Sequence, residues 1–188
     1  MSVYGNNNNF KNEGSFCKPE SIYGISKLSG ESIVQSLKVH KIKYLIFRLF
    51  NIYGPGQDLR NYKQGMVSIY IAQALKGNII KVKGNLNRSR DFLYIEDLIN
   101  IFCLKNIKYN EIYNIGSGNK TKVIKLLDLI KIFFQKKIKI KKLLSTPGDI
   151  FSSCANINKI RKITGWFPEV SLEKGVEKTI RHYKQSLY

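Results

Sequence analysis

Tyr23 and Lys27 are the two residues whose types and spacing most directly suggest chemistry. A separation of four positions places both side chains on one face of a helix. A neutral phenol is a poor base near pH 7, and an ammonium one turn away favours its ionised form, the phenolate. The pair therefore predicts a group that takes up a proton during a redox reaction. Because the chain is rich in tyrosine and lysine, the same spacing also arises as an ordinary surface pair, so the prediction depends on the neighbouring motifs.

Two further side chains are candidates for binding a ligand. Asn51 follows the apolar run of residues 44–49, and ligands of parallel sheets bind at the carboxyl ends of the strands. Arg90 carries a planar guanidinium that can bond two phosphate oxygens at once, which lysine cannot do. Both residues have structural alternatives, because asparagine often caps a turn and Arg90 could pair with Asp91 on the surface.

The elements that must position these residues follow from hydrophobic periodicity and turn signals. Apolar residues recur at helical spacing after Ser21, which can cap the first helix. The pattern predicts helices over residues 21–40, 66–76, 97–105, 123–134, 156–164 and 172–183, and strands over residues 44–49, 79–83, 91–94, 112–115 and 137–143. Gly77 is predicted to end the second helix and Asp97 to cap the third. Alternating helices and strands predict an α/β fold with a mostly parallel sheet.

The composition limits the classes of protein that this chain can belong to. A chain of 188 residues with 43% hydrophobic content can bury a core. No apolar run is long enough for a membrane span and no secretory leader opens the chain, so we expect a cytoplasmic protein that binds no membrane. The net charge of +19 is spread along the sequence, which argues against nucleic-acid binding. Three widely spaced cysteines indicate neither a disulfide framework nor a metal site.

Several motifs occur in an order that resembles one protein family. They lie at residues 2–5, 23–27, 48–56, 90–97, 113–118 and 147–149. In this order the chain is similar to the NAD-dependent epimerase/dehydratase family of extended short-chain dehydrogenases/reductases. The similarity is greatest to its UDP-glucose 4-epimerase-like members, and it covers essentially the whole chain.

The resemblance implies an α/β fold with an incomplete Rossmann-like doubly wound parallel sheet and a small C-terminal α/β substrate lobe. Residues 1–55 correspond to the C-terminal part of a dinucleotide-binding domain. Residues 56–188 correspond mainly to the sugar-nucleotide lobe, with residues 91–118 returning to the Rossmann sheet. The family's Gly-rich turn for the NAD pyrophosphate has no counterpart here, and a third catalytic partner, a Ser or Thr, would precede Met1. We therefore expect a truncated chain that binds NAD weakly and is inactive or weakly active alone.

The resemblance also implies roles for individual residues. The family's Tyr at the position of Tyr23 removes a proton from a sugar hydroxyl, and its Lys at the position of Lys27 binds the nicotinamide ribose. Phe50 would line the same cofactor cleft. The residues implied to bind the sugar nucleotide are Asn51, Val67, Lys81, Val82, Lys83, Arg90 and Asp149. The chain departs from the family pattern at Thr146, where an Arg is frequent, and at Met66, where an Asn often contacts the diphosphate.

The function implied by the resemblance is sugar-nucleotide epimerisation through transient NAD-dependent oxidation at C4. One alternative is a non-catalytic remnant, or half of a split enzyme, that binds a nucleotide sugar. A second alternative is a sugar-nucleotide 4,6-dehydratase. The partners implied are a UDP-sugar and either a second copy of the chain or a complementing N-terminal half, with no metal ion.

Overall fold

The computed structural model describes residues 1–6, 10–63, 65–145 and 150–185. The helices within these ranges are α1 Ile22–Ser36, α2 Met66–Lys76, α3 Ile95–Ile101, α4 Val123–Phe134, α5 Asn158–Thr164 and α6 Leu172–Gln185. The strands are β1 Phe10–Lys11, β2 Leu45–Leu49, β3 Ile52–Tyr53, β4 Ile79–Lys83, β5 Ser89–Arg90, β6 Leu93–Tyr94, β7 Glu111–Ile115, β8 Thr121–Lys122, β9 Lys139–Leu143 and β10 Cys154–Ala155. Short 3-10 helices occupy Ser2–Tyr4 and Leu37–His40. None of the helices in the described part of the chain is long and apolar enough to cross a membrane.

Most strand pairs are parallel, as the sequence predicts. β2 pairs with β7, β4 with β9, β1 with β10 and β3 with β6, all in parallel. The short pair β5 and β8 is antiparallel. Because parallel neighbours need a crossover connection, the helices lie between paired strands along the chain. The predicted mixed α/β class with parallel pairing is therefore confirmed.

Helix α1 begins where the sequence predicts it. Ser21 is the N-cap, and its Oγ accepts a hydrogen bond of 3.0 Å from the Gly24 amide. Gly24 is buried, and a Cβ at this position would lie 2.7 Å from the carbonyl oxygen of Ser2 and 2.9 Å from Cβ of Pro19. Glycine is therefore needed here because the helix approaches the Ser2–Tyr4 turn too closely for a side chain.

Asp97 does not cap a helix, so that prediction is wrong. Helix α3 begins two residues earlier, at Ile95, with Tyr94 as its N-cap. The buried Asp97 carboxylate instead accepts hydrogen bonds of 3.0 Å from the Glu169 amide and 3.2 Å from the Val170 amide. The residue therefore attaches α3 to the segment before α6, and its partners lie 72 and 73 positions later in the sequence.

Within the described ranges, three clusters of buried apolar residues hold the fold together. The largest lies among α2, α4, α6 and β4. The second lies beside β2 and β7 and contains Trp166 and Leu93. The third is small and contains Val3, Tyr4, Phe50 and Ala155, with Leu28 of α1 packed against it. This third cluster supports the part of the fold in which α1 meets the carboxyl end of β2.

Candidate functional site

An open cleft of about 880 Å3 lies beside α1. One side of it is formed by Tyr23, Lys27 and Glu31 of α1. The other side is formed by residues 46–49 of β2 together with Asn51 and Ile52. The cleft therefore lies where the sequence predicts a ligand, at the carboxyl end of a buried strand.

Tyr23 and Lys27 lie next to each other, as their spacing predicts. The Lys27 ammonium is 5.3 Å from the centroid of the Tyr23 ring. Both side chains are exposed, and Tyr23 retains 60% of its accessible surface. The hydroxyl of Ser26, between these two residues in the sequence, donates to the Tyr23 carbonyl oxygen at 2.9 Å, a hydrogen bond within α1. The phenol and the ammonium are thus accessible to a ligand in the cleft.

Asn51 lies on the same cleft but also has a structural bond. Its side-chain amide donates a hydrogen bond of 2.8 Å to the carbonyl oxygen of Asp91. The Leu93 amide donates to the Asn51 carbonyl oxygen at 3.3 Å, next to the β3 and β6 pair. Asn51 therefore fixes the position of the Arg90–Asp91 segment relative to the cleft, and its contact with a diphosphate stays a prediction.

Phe50 is completely buried in the third cluster. Its ring centroid is 6.4 Å from that of Tyr4. The structure thus places Phe50 behind the residues that line the cleft, and its contact with the cofactor stays a prediction.

Arg90 is buried, with 4% of its surface exposed. Its guanidinium donates to the carbonyl oxygens of Ser89 at 2.9 Å and Phe151 at 3.5 Å. Asp91 is also buried, so the alternative of a surface pair between these residues is wrong. Asp149, the other candidate in this region, lies outside the described residues.

Asp91 forms a buried binding site for backbone amides that the sequence did not reveal. Its carboxylate accepts hydrogen bonds from the amides of Ser117 at 2.6 Å, Gly118 at 3.1 Å and Ala155 at 3.0 Å, and from the Ser117 hydroxyl at 2.6 Å. A Cβ on Gly116 would come within 2.7 Å of this carboxylate. Burial raises the pKa of Asp91, while these donors act in the opposite direction. The Gly116-Ser117-Gly118 sequence could have indicated this site, because turns of this kind present consecutive backbone amides to an anion such as a carboxylate.

The remaining candidates for nucleotide binding lie on α2 and β4. Val67 and Val82 are buried in the largest cluster. Lys81 and Lys83 are exposed on β4, and the Lys81 amide donates to Oε1 of Gln73 at 2.5 Å. Lys81 also lines a separate depression of about 410 Å3 with Tyr62 and Gln73. Among the described residues, Tyr23, Lys27 and Asn51 therefore line the cleft beside α1 together. The four candidates on α2 and β4, Val67, Lys81, Val82 and Lys83, do not line it.

Glu31 and Arg48 form an ion pair at the cleft that sequence reasoning missed. Arg48 Nη2 lies 2.7 Å from Glu31 Oε2, and the two side chains are 5% and 10% exposed. Arg48 Nε donates to Glu31 Oε1 at 2.9 Å. The residues are 17 positions apart, so helical spacing gave no signal, and the pairing requires the packing of α1 on β2.

The cysteines are expected to differ in reactivity with a thiol reagent at pH 8. Cys103 is exposed, Cys17 is half-buried and Cys154 is buried. Burial raises the pKa of Cys154 to about 12, so this thiol lacks both access and thiolate character. We expect Cys103 to be labelled first and Cys154 only after denaturation, as measured by mass spectrometry of the digested protein. Labelling of Cys154 in the native protein at the rate of Cys103 would contradict its burial.

Sequence comparison relates this chain to known proteins. The model of the NAD dependent epimerase/dehydratase family matches residues 1–116. A putative UDP-glucose 4-epimerase of Methanocaldococcus jannaschii is 32% identical over 189 residues, covering 98% of this chain and 61% of the relative. The dTDP-4-dehydro-6-deoxyglucose reductase of Escherichia coli is 30% identical, covering 96% of this chain and 58% of the relative. The chain thus spans about 60% of the length of these curated relatives.

Solved structures give the same result for the fold. The UDP-glucose 4-epimerase of Thermotoga maritima, solved with UDP-glucose, has a TM-score of 0.92 at 30% identity, covering 100% of this chain and 62% of that one. The UDP-glucose 4-epimerase of Thermus thermophilus, solved with NAD, has a TM-score of 0.87 at 25% identity, covering 97% of this chain and 61% of that one. The predicted Rossmann-like fold class is therefore confirmed, and NAD is the cofactor of the matched family.

Proposed function

Because this chain belongs to the NAD-dependent epimerase/dehydratase family, we propose that it acts as a sugar-nucleotide epimerase of the UDP-glucose 4-epimerase type. The observation that carries this proposal is the position of Tyr23 and Lys27, side by side on α1 and facing an open cleft. A proton acceptor with a neighbouring cation is what the protein must supply for the proton transfer when a sugar hydroxyl is oxidised, and the hydride goes to NAD.

The residues of the cleft fit the nicotinamide ribose of NAD. The Lys27 ammonium has three donors and the Tyr23 phenol both donates and accepts, which suits the paired hydroxyls of a ribose. The cleft of about 880 Å3 lies in the range of roughly 300–1,000 Å3 that small-molecule sites occupy. When bound, NAD supplies the acceptor for the hydride that leaves C4 of the sugar and the donor for its return.

The protein's own part in the reaction is the movement and control of one proton. The Tyr23 phenolate oxygen takes the proton of the C4 hydroxyl, which leaves a carbonyl at C4 once the hydride has departed. The Lys27 ammonium lies 5.3 Å from the centroid of the Tyr23 ring and so places a positive charge beside the phenol. The same phenol returns the proton after the hexose has presented its other face, so the product is the C4 epimer and the protein ends unchanged.

We assign the rest of the ligand to the residues implied by the sequence. In this assignment Asn51, Arg90 and Asp149 contact the diphosphate and ribose, and Phe50 belongs to the cofactor side, where it lies behind the residues that line the cleft. Val67 and residues 81–83 contact the uracil. The hydrogen bond from Asn51 to the Asp91 carbonyl oxygen supports the first group, because it joins the cleft directly to the segment that carries Arg90.

The proposed partners follow from the division of the chain. We assign residues 1–55 and 91–118 to the cofactor side and the remainder of residues 56–188 to the substrate side, which the pairing of β2 with β7 supports. Apolar side chains of α1, including Ile22 and Ile33, are exposed. A second copy of the chain or a complementing N-terminal half that covers α1 would remove this apolar surface from water.

The experiment that tests this function is the conversion of UDP-glucose to UDP-galactose by the purified chain with added NAD. Proton NMR of the nucleotide sugar distinguishes the product from a 4-keto-6-deoxy sugar, and calorimetry measures UDP-glucose binding. Because the chain alone is expected to be weakly active at most, we expect slow interconversion of the two hexoses at high NAD concentration, approaching the same ratio from either side. A 4-keto-6-deoxy product would favour the dehydratase alternative instead. Binding without conversion, in the folded protein, would contradict epimerase activity of this chain and favour a nucleotide-sugar-binding unit.

A further inference from the structure

Helix α1 carries the proposed reaction centre but has few apolar contacts of its own. It contains 15 residues, and within the described part of the chain Gly24 is its one fully buried residue. Leu28 packs partly against the third cluster, while Ile22, Ile25 and Ile33 are exposed. Because apolar packing usually fixes the orientation of a helix, and α1 has little of it beyond Gly24 and Leu28, polar contacts contribute to the orientation of α1.

The Glu31–Arg48 pair is a direct polar contact between α1 and the sheet. Two parallel hydrogen bonds of 2.9 Å and 2.7 Å join Arg48 Nε and Nη2 to the two oxygens of the Glu31 carboxylate. Such a bidentate pair fixes direction as well as distance, since the planar guanidinium and carboxylate must be aligned. The pair is also largely shielded from solvent. A rotation of α1 would therefore separate the two side chains and leave a buried charge without its partner, which is costly.

Arg48 is itself held rigidly. Its Nη1 donates to the carbonyl oxygen of Glu13 at 3.1 Å, and its guanidinium carbon lies 4.8 Å from the centroid of the Tyr4 ring. The Tyr4 hydroxyl in turn donates to Oδ1 of Asn114, on β7, at 2.7 Å. Burial alone would lower the pKa of Arg48, but its hydrogen bonds to Glu31 hold it above its ordinary value. Arg48 is thus a permanent cation fixed to both strands of the β2 and β7 pair.

The helical positions connect this pair to the reaction centre. Tyr23, Lys27 and Glu31 follow one another at intervals of four, which gives about 6 Å of rise and about 40° of rotation between successive members. All three line the same cleft. Any rotation or shift of α1 that moves Glu31 therefore moves the phenol and the ammonium by a comparable amount.

We propose that the Glu31–Arg48 ion pair sets the rotation and depth of α1 against β2 and so positions Tyr23 and Lys27 in the cleft. Glu31 and Arg48 are positioning residues in this scheme, since they act through Tyr23 and Lys27. The inference rests on the proposed function of the cleft, but its structural part can be measured without turnover.

The test is Glu31→Gln, which keeps the shape of the side chain and removes its charge. We expect kcat for hexose interconversion to fall by about 10- to 100-fold, because small misplacements of reacting groups are costly, with KM for the UDP-hexose changed by less than about twofold. Hydrogen exchange of the amides of residues 26–32 should accelerate by about tenfold, and that of α4 should not change. Arg48→Lys keeps the charge but lacks the planar guanidinium that donates two parallel hydrogen bonds. For this variant we expect an intermediate loss of kcat and accelerated exchange in the same residues.

The matched control is Glu177→Gln, which removes the same charge from the exposed Glu177–Arg181 pair on α6. We expect it to leave kcat and the exchange of α1 unchanged. Unchanged exchange at residues 26–32 in Glu31→Gln would overturn the positioning role, whether or not the chain converts UDP-hexoses. Faster exchange there with kcat unchanged would also overturn it. Absence of turnover in the unmutated chain would refute the epimerase proposal alone, and the exchange measurement would then decide whether the ion pair orients the Tyr23–Lys27 helix.

Discussion

Tyr23→Phe is expected to reduce the conversion of UDP-glucose to UDP-galactose by about 10³-fold, the scale of a lost general acid–base group. The substitution removes one oxygen atom and retains the ring. The Lys27 ammonium, 5.3 Å from the ring centroid, can therefore keep its place. The loss should appear in kcat rather than in the affinity for UDP-glucose, because proton transfer is what the variant lacks. Initial rates measured in both directions by NMR, together with calorimetric binding of UDP-glucose, separate the two quantities.

The chain contains a matched control for this experiment. Tyr109 is also exposed, and the ammonium of Lys43 lies 5.6 Å from the centroid of its ring. Tyr109 and Lys43 therefore reproduce the tyrosine–lysine contact away from the residues that line the cleft. Tyr109→Phe should leave the rate unchanged. Equal rates for Tyr23→Phe and the unmutated chain would show that the proton acceptor is another group.

The elements that carry the reaction centre could be predicted because their signals are local. Helix α4 has the predicted bounds, Val123–Phe134, and α2 has the predicted bounds, Met66–Lys76. In α1 the Ser21 cap and the four-residue spacing of Tyr23 and Lys27 were sufficient to place both side chains on one face. In each case the apolar period and the terminal residues lie within the element itself.

The supporting contacts could not be predicted because their partners are distant in the sequence. Asp97 looked like a helix cap from its neighbours, yet it bonds to amides 72 and 73 positions away. Arg48 follows apolar residues in a buried strand, and nothing local indicates that α1 brings Glu31 to it. Asp91 was considered only as a partner for Arg90. Charged residues of this kind are positioned by tertiary packing, which hydrophobic periodicity does not encode.

Asp91→Asn is expected to have the largest effect on stability among single substitutions near the cleft. Asp91 Oδ1 accepts from the amide and hydroxyl of Ser117, and Oδ2 accepts from the amides of Gly118 and Ala155. An asparagine in either orientation would place its NH2 group against two of these donors. Leaving buried donors unsatisfied in this way should lower the free energy of unfolding by about 3 kcal/mol. The same contacts hold the Gly116-Ser117-Gly118 turn against β10, so the loss should affect the whole fold.

Urea denaturation at pH 7, followed by the fluorescence of Trp166, measures this effect, since Trp166 is the single tryptophan and is buried. The control is Asp58→Asn, because Asp58 is exposed and pairs with Arg60 in a solvent-accessible ion pair. Such pairs contribute little to stability, so the midpoint of this control should stay at that of the unmutated chain. If Asp91→Asn also unfolds at the midpoint of the unmutated chain, the hydrogen bonds between the Asp91 carboxylate and the backbone amides do not stabilise the fold. Loss of UDP-glucose binding with an unchanged midpoint would instead show that the Asp91 carboxylate acts on the cleft itself, since the backbone carbonyl oxygen of residue 91 that accepts from Asn51 is kept in the variant.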